Sequence, residues 1–320
     1  MNVSVQGCGR WGSFIAWYLD SIGHNVCLWG RSSSANLKML RETRKNKYLT
    51  LPESIVITDD LSESAAFADT IVISISAQEM RSHLKLLLSE DYKNKTLVLC
   101  MKGIEDISGL RLTEVAEDVL GDDIKTAVWV GPGHVQDFVK GIPNCMVIDS
   151  ADPEVIAHLV NEFNSDLIRF YYGSDLTGSE IGAAAKNVIG IASGILDGLN
   201  LTSLKGALMA RGAREISRLI SAMGGNELTA YGLTHLGDYE ATVFSPYSNN
   251  RKFGEAFVKG EHFDSLAEGV ATSSAMMKLK EKYSTELPIC TAVYDVVIKS
   301  KDAEAALTDL FLRSIKGEFS

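Results

Sequence analysis

The chain has 320 residues, of which 46% are hydrophobic and 22% are charged, a composition typical of a globular protein and not of a disordered one. Its formal net charge of −10 argues against a nucleic-acid-binding surface, because such a surface would be basic. No apolar run reaches the roughly 20 residues that span a bilayer, and the five scattered cysteines contain no CxxC pair, so we expect no membrane span, disulfide framework or metal site.

The first 174 residues alternate short β-branched segments with helical patterns. Between the first two predicted strands, apolar residues from Trp11 to Ile22 recur at helical spacing, which predicts one buried helix face. The alternation of strand and helix predicts an α/β fold with a Rossmann-type doubly wound sheet. Because residues 2–6 already have the pattern of a strand that leads into a glycine turn, where a signal peptide would otherwise lie, we expect a cytoplasmic protein. The predicted strands are residues 3–6, 25–29, 55–58, 70–76, 96–99, 126–130, 145–148 and 168–171.

Residues 175–320 have a different pattern, with helical segments interrupted by glycine and no predicted strand. This change places a domain boundary near residue 174. We therefore predict a dinucleotide-binding Rossmann domain over residues 1–174 and an all-helical substrate and catalytic domain over residues 175–320. The predicted helices of the second domain are residues 179–199, 204–223, 251–258, 272–283 and 289–300.

A glycine-rich turn stands between the first strand and the first helix. Its sequence, Gly7-Cys8-Gly9-Arg10-Trp11-Gly12, fits the pattern GxGxxG in the strand–turn–helix context that the pattern requires. The first glycine permits a tight turn, the second lets a pyrophosphate approach the backbone, and the third permits close packing of helix and strand. The helix N-terminus adds free N–H groups and a partial positive charge. The turn therefore predicts a site for NAD or NADP.

The end of the second strand bears on the choice between these two cofactors. NAD-specific domains usually have Asp or Glu at this point, which binds the ribose hydroxyls. Here the strand is followed by Gly30-Arg31-Ser32-Ser33-Ser34, and an arginine beside hydroxyls suits a 2′-phosphate. Arg31 therefore favours NADP over NAD. The alternative is that Arg31 is a solvated surface cation.

A single lysine interrupts a long apolar segment of the second domain. Lys186 is the only charged residue between residues 181 and 196, so the helix is expected to be buried, and burial lowers the pKa of an ammonium until it can exchange protons near neutral pH. The alternative is a lysine whose ammonium reaches the surface. Lys102 follows the fifth strand at the ligand-binding edge of the sheet, and Asp238 lies in a loop between glycines, where its carboxylate could orient an ammonium. Taken singly, these two residues also fit a solvated lysine and a turn residue.

Together these motifs resemble the NAD(P)-dependent glycerol-3-phosphate dehydrogenase family over almost the whole chain. The stretches that carry the resemblance, besides the glycine turn, are KGIE (102–105), GP (131–132), AKNVI (185–189), ALMARG (207–212), GL and LGD within 232–238, NRKFG (250–254), EGV (268–270), ELPI (286–289) and AVY (292–294). The resemblance implies a Rossmann domain followed by a helical domain. It also implies a homodimer.

The activity implied by the resemblance is reversible hydride transfer between NAD(P)H and the C2 carbonyl of dihydroxyacetone phosphate, which gives sn-glycerol 3-phosphate. Lys186 would transfer the proton, Lys102 would contact the substrate and Asp238 would be the carboxylate partner. Residues expected at the cofactor are Gly7, Gly9, Arg10, Trp11, Gly12, Arg31, Lys102, Gly131 and Glu268. Residues expected at the substrate are Lys102, Gly131, Asn187, Asp238, Thr242, Ser248, Asn249 and Asn250.

Two departures from the family pattern lie on the substrate side. The family's Ser-Arg-Asn-Arg, whose first arginine clamps the phosphate, reads Ser248-Asn249-Asn250-Arg251 here, and asparagine cannot replace the charge of a bidentate arginine. The family's Gly-Pro-Ser/Thr-Phe-Ala reads Gly131-Pro132-Gly133-His134-Val135. Two alternatives follow: a dehydrogenase of another hydroxy or keto compound such as a sugar-alcohol phosphate, and a nucleotide-binding protein that has lost catalysis.

The histidines have no metal-ligand spacing. His134 follows a strand at the ligand-binding edge, so it is the one histidine considered as a pocket residue. We expect the others at the surface or in loops, namely His24, His83, His158, His235 and His262.

Overall fold

A computed structural model describes residues 1–315 and 317–318 of the chain. The chain forms two compact units. The first consists of Met1–Met101 and Leu112–Ser174, and the second of Lys102–Arg111 and Asp175–Ser320. The last division along the chain thus falls at residue 174, but Lys102–Arg111, which lies inside the predicted first domain, packs with the second unit. Residues 316, 319 and 320 of the predicted second domain lie outside the described residues.

The first unit is built on one eight-stranded sheet with the order β3-β2-β1-β4-β5-β6-β7-β8, which confirms the Rossmann-type fold. All eight strands occupy the predicted segments, although β4 ends three residues early, where the chain turns toward a short 3₁₀ helix. Neighbouring strands are parallel except for β6 and β7. The strands are β1 Asn2–Gln6, β2 Asn25–Trp29, β3 Val56–Thr58, β4 Thr70–Ile73, β5 Thr96–Leu99, β6 Lys125–Val130, β7 Asn144–Asp149 and β8 Ile168–Tyr172.

Helices connect these strands because most strands are apolar on both faces and must be covered on both sides. The apolar face predicted for α1 is confirmed, since Phe14, Ile15, Tyr18 and Leu19 are all completely buried. The helices of the first unit are α1 Arg10–Ser21, α2 Ala35–Thr43, α3 Leu61–Phe67, α4 Met80–Leu87, α5 Leu112–Leu120, α6 Val135–Val139 and α7 Pro153–Phe163.

The second unit is helical, and the five predicted helices are present with small shifts at their ends. Helix α8 is buried over most of its length, and glycines permit the close approach of its neighbours. A Cβ at Gly194 would lie 1.9 Å from the carbonyl oxygen of Arg251 in α10. The helices are α8 Leu176–Gly198, α9 Lys205–Ala222, α10 Asn249–Lys259, α11 Glu268–Lys282, α12 Pro288–Val297 and α13 Ala303–Phe311.

Short irregular helices join α9 to α10. They comprise 3₁₀ turns at Glu227–Tyr231 and Leu236–Asp238 and a π-helix at Glu240–Phe244. This connection carries several of the predicted site residues. Within the described part of the chain, we find no helix that has both the length and the apolar character needed to cross a membrane.

Candidate active site

Two lysines share one carboxylate in the second unit. Helix α8 carries Lys186, the 3₁₀ turn Leu236–Asp238 carries Asp238, and Lys102 is in the segment that follows β5. Oδ2 of Asp238 lies 2.7 Å from Nζ of Lys186 and 2.7 Å from Nζ of Lys102. The Asp238 side chain is completely buried, whereas those of Lys186 and Lys102 are 11% and 18% exposed. The structure therefore brings together the three residues predicted from the sequence.

Burial makes Lys186 an unusually weak base. It lowers the pKa of the Lys186 ammonium to about 8, and the positive charge of Lys102 acts in the same direction, while the Asp238 carboxylate opposes both. At neutral pH both proton states of Lys186 are therefore accessible, as general acid–base chemistry requires.

Thr242 provides a second acceptor for Lys186. Its hydroxyl donates to the backbone carbonyl of Asp238 over 2.7 Å and accepts from Nζ of Lys186 over 3.0 Å. An ammonium has three N–H donors, so Asp238 and Thr242 orient the group and leave one donor for a further acceptor.

A chain of side-chain amides extends from this cluster. The backbone N–H of Gly269 donates to Oδ1 of Asn250, Nδ2 of Asn250 donates to Oδ1 of Asn187, and Nδ2 of Asn187 donates to the backbone carbonyl of Lys102, over 2.7–3.0 Å. Because the first donor is a backbone amide, it fixes the orientation of both side chains. Helices α8, α10 and α11 are thus linked to the backbone of Lys102.

The remaining predicted substrate residues lie where α10 begins. Ser248 caps the helix, since its hydroxyl accepts from the backbone N–H of Arg251. The side-chain amide of Asn249 donates to the carbonyl of Leu266 over 3.2 Å. Glu268 is the first residue of α11, next to Gly269.

Arg251 does not substitute for the arginine that the family has at position 249. Its Nη1 lies 2.7 Å from Oδ2 of Asp197, and the same oxygen lies 2.7 Å from Nζ of Lys205. Nε of Arg251 donates to the carbonyl of Ser245, and Nζ of Lys205 donates to that of Val243. The two cations therefore hold the segment after Thr242 in place. Sequence reasoning missed this cluster because Arg251 is 54 residues from Asp197 in the chain.

The glycine turn of the first unit has the shape that a pyrophosphate needs. Gly7 has φ +123°, and a Cβ there would lie 2.0 Å from the carbonyl oxygen of Ser74. A Cβ at Gly12 would lie 1.8 Å from the carbonyl oxygen of Gly7. A Cβ at Gly9, by contrast, would have no heavy atom within 4 Å, and no side chain caps α1. The N-terminus of α1 thus has open space beside Gly9, which fits a dinucleotide.

The other predicted cofactor residues of the first unit lie around the same sheet edge. Arg31 follows β2 and forms an ion pair of 3.0 Å with Glu79, with its own side chain 65% exposed. Arg10 begins α1, and its guanidinium lies over the ring of Tyr48. Gly131 follows β6 with φ +130°. Lys102 and Glu268, also predicted at the cofactor, belong to the second unit.

Aromatic packing explains the glycine at position 133. A Cβ at Gly133, where φ is +149°, would lie 2.3 Å from the ring of Phe138. That ring stacks on Phe14 and packs against Trp11, with centroid distances of 5.0 and 6.2 Å. Phe138 therefore fills the space that a serine or threonine side chain would take, and Trp11 contributes to helix packing. His134 is half-buried and precedes α6 as its N-cap residue.

The expectation of surface or loop positions is wrong for His83, which is buried within α4. His24 and His235 lie outside the helices and strands, as expected for loop residues, but both are buried, because an imidazole with hydrogen-bond partners can be buried. The carbonyl of Glu162 pairs with His24 and the side chain of Gln6 with His83. The buried histidines are His24, His83 and His235, and the exposed ones are His158 and His262. Among the residues that the structure describes, no three His, Cys, Asp or Glu side chains form a metal-binding group.

Two family models match the chain. The N-terminal model of NAD-dependent glycerol-3-phosphate dehydrogenase matches residues 2–156, and the C-terminal model matches residues 175–308. The similarity therefore includes the glycine turn and the segments that carry Lys186 and Asp238.

Individual proteins agree with the family models. The glycerol-3-phosphate dehydrogenase (NAD(P)+) of Fusobacterium nucleatum subsp. nucleatum is 35% identical over 330 residues, covering 99% of this chain and 98% of that protein. The enzyme of the same description from Prosthecochloris aestuarii is 35% identical over 331 residues, covering 99% of this chain and 100% of that protein. The crystal structure of glycerol-3-phosphate dehydrogenase from Coxiella burnetii has a TM-score of 0.90 at 27% identity, covering 97% of this chain and 98% of that chain.

Proposed function

This chain belongs to the NAD-dependent glycerol-3-phosphate dehydrogenase family, and on that premise we propose that Lys186 is its proton donor and acceptor. The protein is an NAD(P)-dependent oxidoreductase that interconverts dihydroxyacetone phosphate and glycerol 3-phosphate. The observation that carries the proposed role is the buried Lys186 ammonium, held 2.7 Å from the Asp238 carboxylate.

Reduction of a ketone needs a hydride at carbon and a proton at oxygen. When bound, the reduced cofactor supplies the hydride to C2 of the substrate. As negative charge develops on the carbonyl oxygen, the Lys186 ammonium stabilises it and donates the proton. The product is the secondary alcohol, and neutral Lys186 is then reprotonated from water. In the reverse direction neutral Lys186 accepts the proton of the C2 hydroxyl.

Asp238 and Lys102 adapt the site to an anionic substrate. One carboxylate between two ammonium groups leaves a charge of about +1 when both lysines are protonated. Such a site attracts a phosphorylated substrate despite the net charge of −10 of the whole chain. Lys102 contacts the substrate, Asp238 orients both lysines, and Thr242 fixes the direction of the Lys186 donor.

The amides of Asn187 and Asn250 and the start of α10 at Ser248 and Asn249 complete the substrate site in this proposal. The hydrogen-bond chain that links Asn187 and Asn250 to the backbone of Lys102 supports the two amides, and the position of Ser248 and Asn249 directly before Asn250 supports the other two residues. A different hydroxy or keto compound stays the alternative substrate, because Asn249 replaces an arginine.

The cofactor is bound at the turn formed by Gly7, Gly9 and Gly12, with Arg10, Trp11 and Gly131 beside it. The open space at Gly9 supports this placement. Arg31 adds a preference for NADP over NAD, supported by its place directly after β2. Glu268 and Lys102 are further cofactor residues in this proposal.

The first test is oxidation of NADPH and NADH by the purified protein, with dihydroxyacetone phosphate beside unphosphorylated dihydroxyacetone. We expect turnover restricted to the phosphorylated ketone, with NADPH preferred. Cofactor binding without turnover of either ketone would favour the alternative substrate.

The role of Lys186 is tested by Lys186→Ala. We expect a loss of kcat of at least about a thousandfold, with the dissociation constant of NADPH unchanged. The exposed Lys259→Ala is the matched control and should keep wild-type turnover. A Lys186→Ala variant that keeps wild-type turnover contradicts the assignment.

We also propose a homodimer located in the cytoplasm. Support for the location comes from the five cysteines, all of which carry free thiols, as is usual in a reducing compartment. The dimer follows from the family resemblance alone. Light scattering of the purified protein and fractionation of cells test the two statements.

A further inference from the structure

A buried histidine and a buried tyrosine flank Asp238 in the chain, and the mechanism above uses neither. His235 and Tyr239 are both completely buried. Nδ1 of His235 lies 2.8 Å from the carbonyl oxygen of Gly182, and the hydroxyl of Tyr239 lies 2.7 Å from Nε2 of His235. A carbonyl can only accept, so Nδ1 carries the proton, and neutral His235 accepts the tyrosine O–H at Nε2.

These contacts join the turn that carries Asp238 to the helix that carries Lys186. Gly182 lies four residues before Lys186 in α8, so its carbonyl is the one that accepts the N–H of Lys186 in the regular α-helical pattern. The absence of a side chain at Gly182 permits the approach, since a Cβ there would lie 3.1 Å from Cβ of His235. The His235 ring thus connects the Asp238 turn directly to the turn of α8 that bears Lys186.

The backbone of the pair holds both acceptors of the Lys186 ammonium. The carbonyl of His235 accepts the N–H of Asp238 over 3.0 Å, and the carbonyl of Tyr239 accepts the N–H of Thr242 over 3.1 Å. A movement of either ring would therefore displace the Asp238 carboxylate or the Thr242 hydroxyl relative to Lys186.

Asp238 has little else to orient it. Its Oδ1 is buried and has no hydrogen-bond partner among the described residues. The two lysines bind only Oδ2, so the carboxylate depends on the backbone of its turn for its direction. A buried, unpartnered oxygen is costly, and a rigid turn is what keeps it in place.

We propose that His235 and Tyr239 are positioning residues, which hold Asp238 and Thr242 at Lys186 through the carbonyl of Gly182. This inference rests on the proposed role of Lys186 as proton donor. The two residues do not touch the lysines and are not catalytic residues. Both stay uncharged at working pH, because burial lowers the pKa of His235 to about 4 and raises that of Tyr239 well above its usual value.

The expected effect of replacing His235 or Tyr239 on the pKa of Lys186 follows from the charged and titratable groups around them. Asp238 and Lys186 lie close to His235, and Glu215 and Cys290 lie close to Tyr239. Of these groups, Asp238 is the one that raises the pKa of Lys186. A displaced Asp238 would raise it less, so the pKa of Lys186 would fall further.

The test compares pH profiles of Tyr239→Phe, His235→Leu and His235→Asn in both directions of the reaction. Ketone reduction needs protonated Lys186 and alcohol oxidation needs the neutral form. Each profile therefore has one limb set by Lys186: reduction declines at high pH and oxidation declines at low pH. We expect both limbs to move to lower pH, by about half a unit or more, in Tyr239→Phe and His235→Leu. We also expect kcat to fall severalfold, with less than a twofold change in KM for dihydroxyacetone phosphate. His235→Asn keeps an N–H donor for Gly182 and should retain most of the wild-type profile.

Tyr18→Phe is the matched control. Tyr18 is completely buried in the first unit, and its hydroxyl bonds the carbonyl of Phe163, so this change removes a buried tyrosine hydroxyl elsewhere. It should lower stability without moving either limb. Unchanged limbs in both Tyr239→Phe and His235→Leu overturn the positioning role and leave the role of Lys186 intact, since Lys186→Ala tests that role separately. Tyr239→Phe keeps every apolar contact of the ring, so the test remains decisive if His235→Leu does not fold.

Discussion

Lys186 and Lys102 share a single carboxylate, so the cluster contains two ammonium groups for one negative charge. Asp238 neutralises one positive charge, so the cluster stays cationic while both lysines are protonated. A site with that charge attracts a phosphate-bearing substrate and stabilises an oxygen on which negative charge develops. Burial lowers the pKa of Lys186 to about 8. This pKa is what the proposed role of Lys186 as proton donor and acceptor requires.

The pKa of Lys186 predicts opposite pH dependences for the two directions. The protonated fraction of Lys186 is high below pH 8 and falls about tenfold per pH unit well above it. We expect kcat/KM for ketone reduction to decline as the pH rises through about 8, and kcat/KM for alcohol oxidation to decline as the pH falls through the same range. Initial rates between pH 6 and about 10 measure both limbs. Flat profiles in both directions would show that another group transfers the proton.

Asn249 is one of the two predicted substrate-side departures from the family pattern. Its amide donates to the carbonyl of Leu266 and carries no charge, so it cannot replace a guanidinium that clamps a phosphate in two places. We predict that Asn249→Arg lowers KM for dihydroxyacetone phosphate about tenfold, the typical effect of one added charge-assisted hydrogen bond.

Unphosphorylated dihydroxyacetone is the control substrate for this variant, and its KM should not change. An improvement with both ketones would mean that the arginine acts through general charge and not through the phosphate. No improvement with either would mean that position 249 does not weaken the phosphate site.

The sequence predicted the burial of Lys186 but not the burial of His235, and the reason is physical. A lone charge in an apolar helix is visible in the sequence, because burial of that helix follows from composition alone. The burial of His235 depends on the Gly182 carbonyl and on the Tyr239 hydroxyl, which come from separate elements. The sequence therefore predicted a surface or loop position for His235, and the structure confirms the loop but not the exposure.

At the scale of elements, strands buried on both faces were the most predictable part of the fold. Several are continuous apolar runs, and all eight overlap the predicted segments, with most ends within one residue of the prediction. The direction of β7 was not predictable in the same way. Its connection from β6 contains only the short helix α6, Val135–Val139, which is little for a parallel crossover, and β7 pairs antiparallel. The 3₁₀ and π segments before α10 depend on tertiary anchors and left no periodic pattern.

Asp197 is one of those anchors, through its ion pairs with Lys205 and Arg251, and we predict that its replacement lowers both stability and substrate affinity. Burial raises the pKa of Asp197, but hydrogen bonds from Lys205 and Arg251 outweigh burial and keep the pKa below its usual value. The ion cluster therefore stabilises the fold above the pKa of the unfolded carboxyl, and this stabilisation disappears as the pH falls through the lower folded value. We predict that Asp197→Asn reduces the free energy of unfolding at pH 7 by about 2–4 kcal/mol.

The same variant should raise KM for dihydroxyacetone phosphate, because Lys205 and Arg251 hold the segment that leads to Ser248. Urea unfolding and steady-state kinetics measure the two effects. Asp309→Asn removes an exposed partner of Lys301 and should change the free energy of unfolding by less than about 1 kcal/mol. Equal effects of the two variants would contradict an anchoring role for Asp197.

The chain passes between its two units more than once. Lys102–Arg111 belongs to the second unit, although the residues on both sides of it belong to the first. A boundary at residue 174 alone would assign Lys102 and Lys186 to different domains. The structure instead places Lys102, Lys186 and Asp238 within one unit, so the geometry of this cluster is internal to that unit. The glycine turn, in contrast, lies within the first unit.

This separation predicts that cofactor binding can be removed without damage to the fold. Gly9 has φ −75° and no heavy atom within 4 Å of an added Cβ, so an aspartate fits there. As an N-cap residue of α1 it would stabilise the helix by a few tenths of a kcal/mol, while its charge would repel a pyrophosphate. We expect Gly9→Asp to keep or slightly raise the melting temperature of the protein alone. The free energy of unfolding of the wild-type protein rises by about 2.7 kcal/mol when NADPH is present at a hundred times its dissociation constant, and that of the variant should not rise.

Gly7→Ala is the contrast, because its Cβ would lie 2.0 Å from the carbonyl oxygen of Ser74, and it should melt at a lower temperature even without cofactor. A Gly9→Asp variant that NADPH stabilises as strongly as wild type would place the pyrophosphate away from this turn.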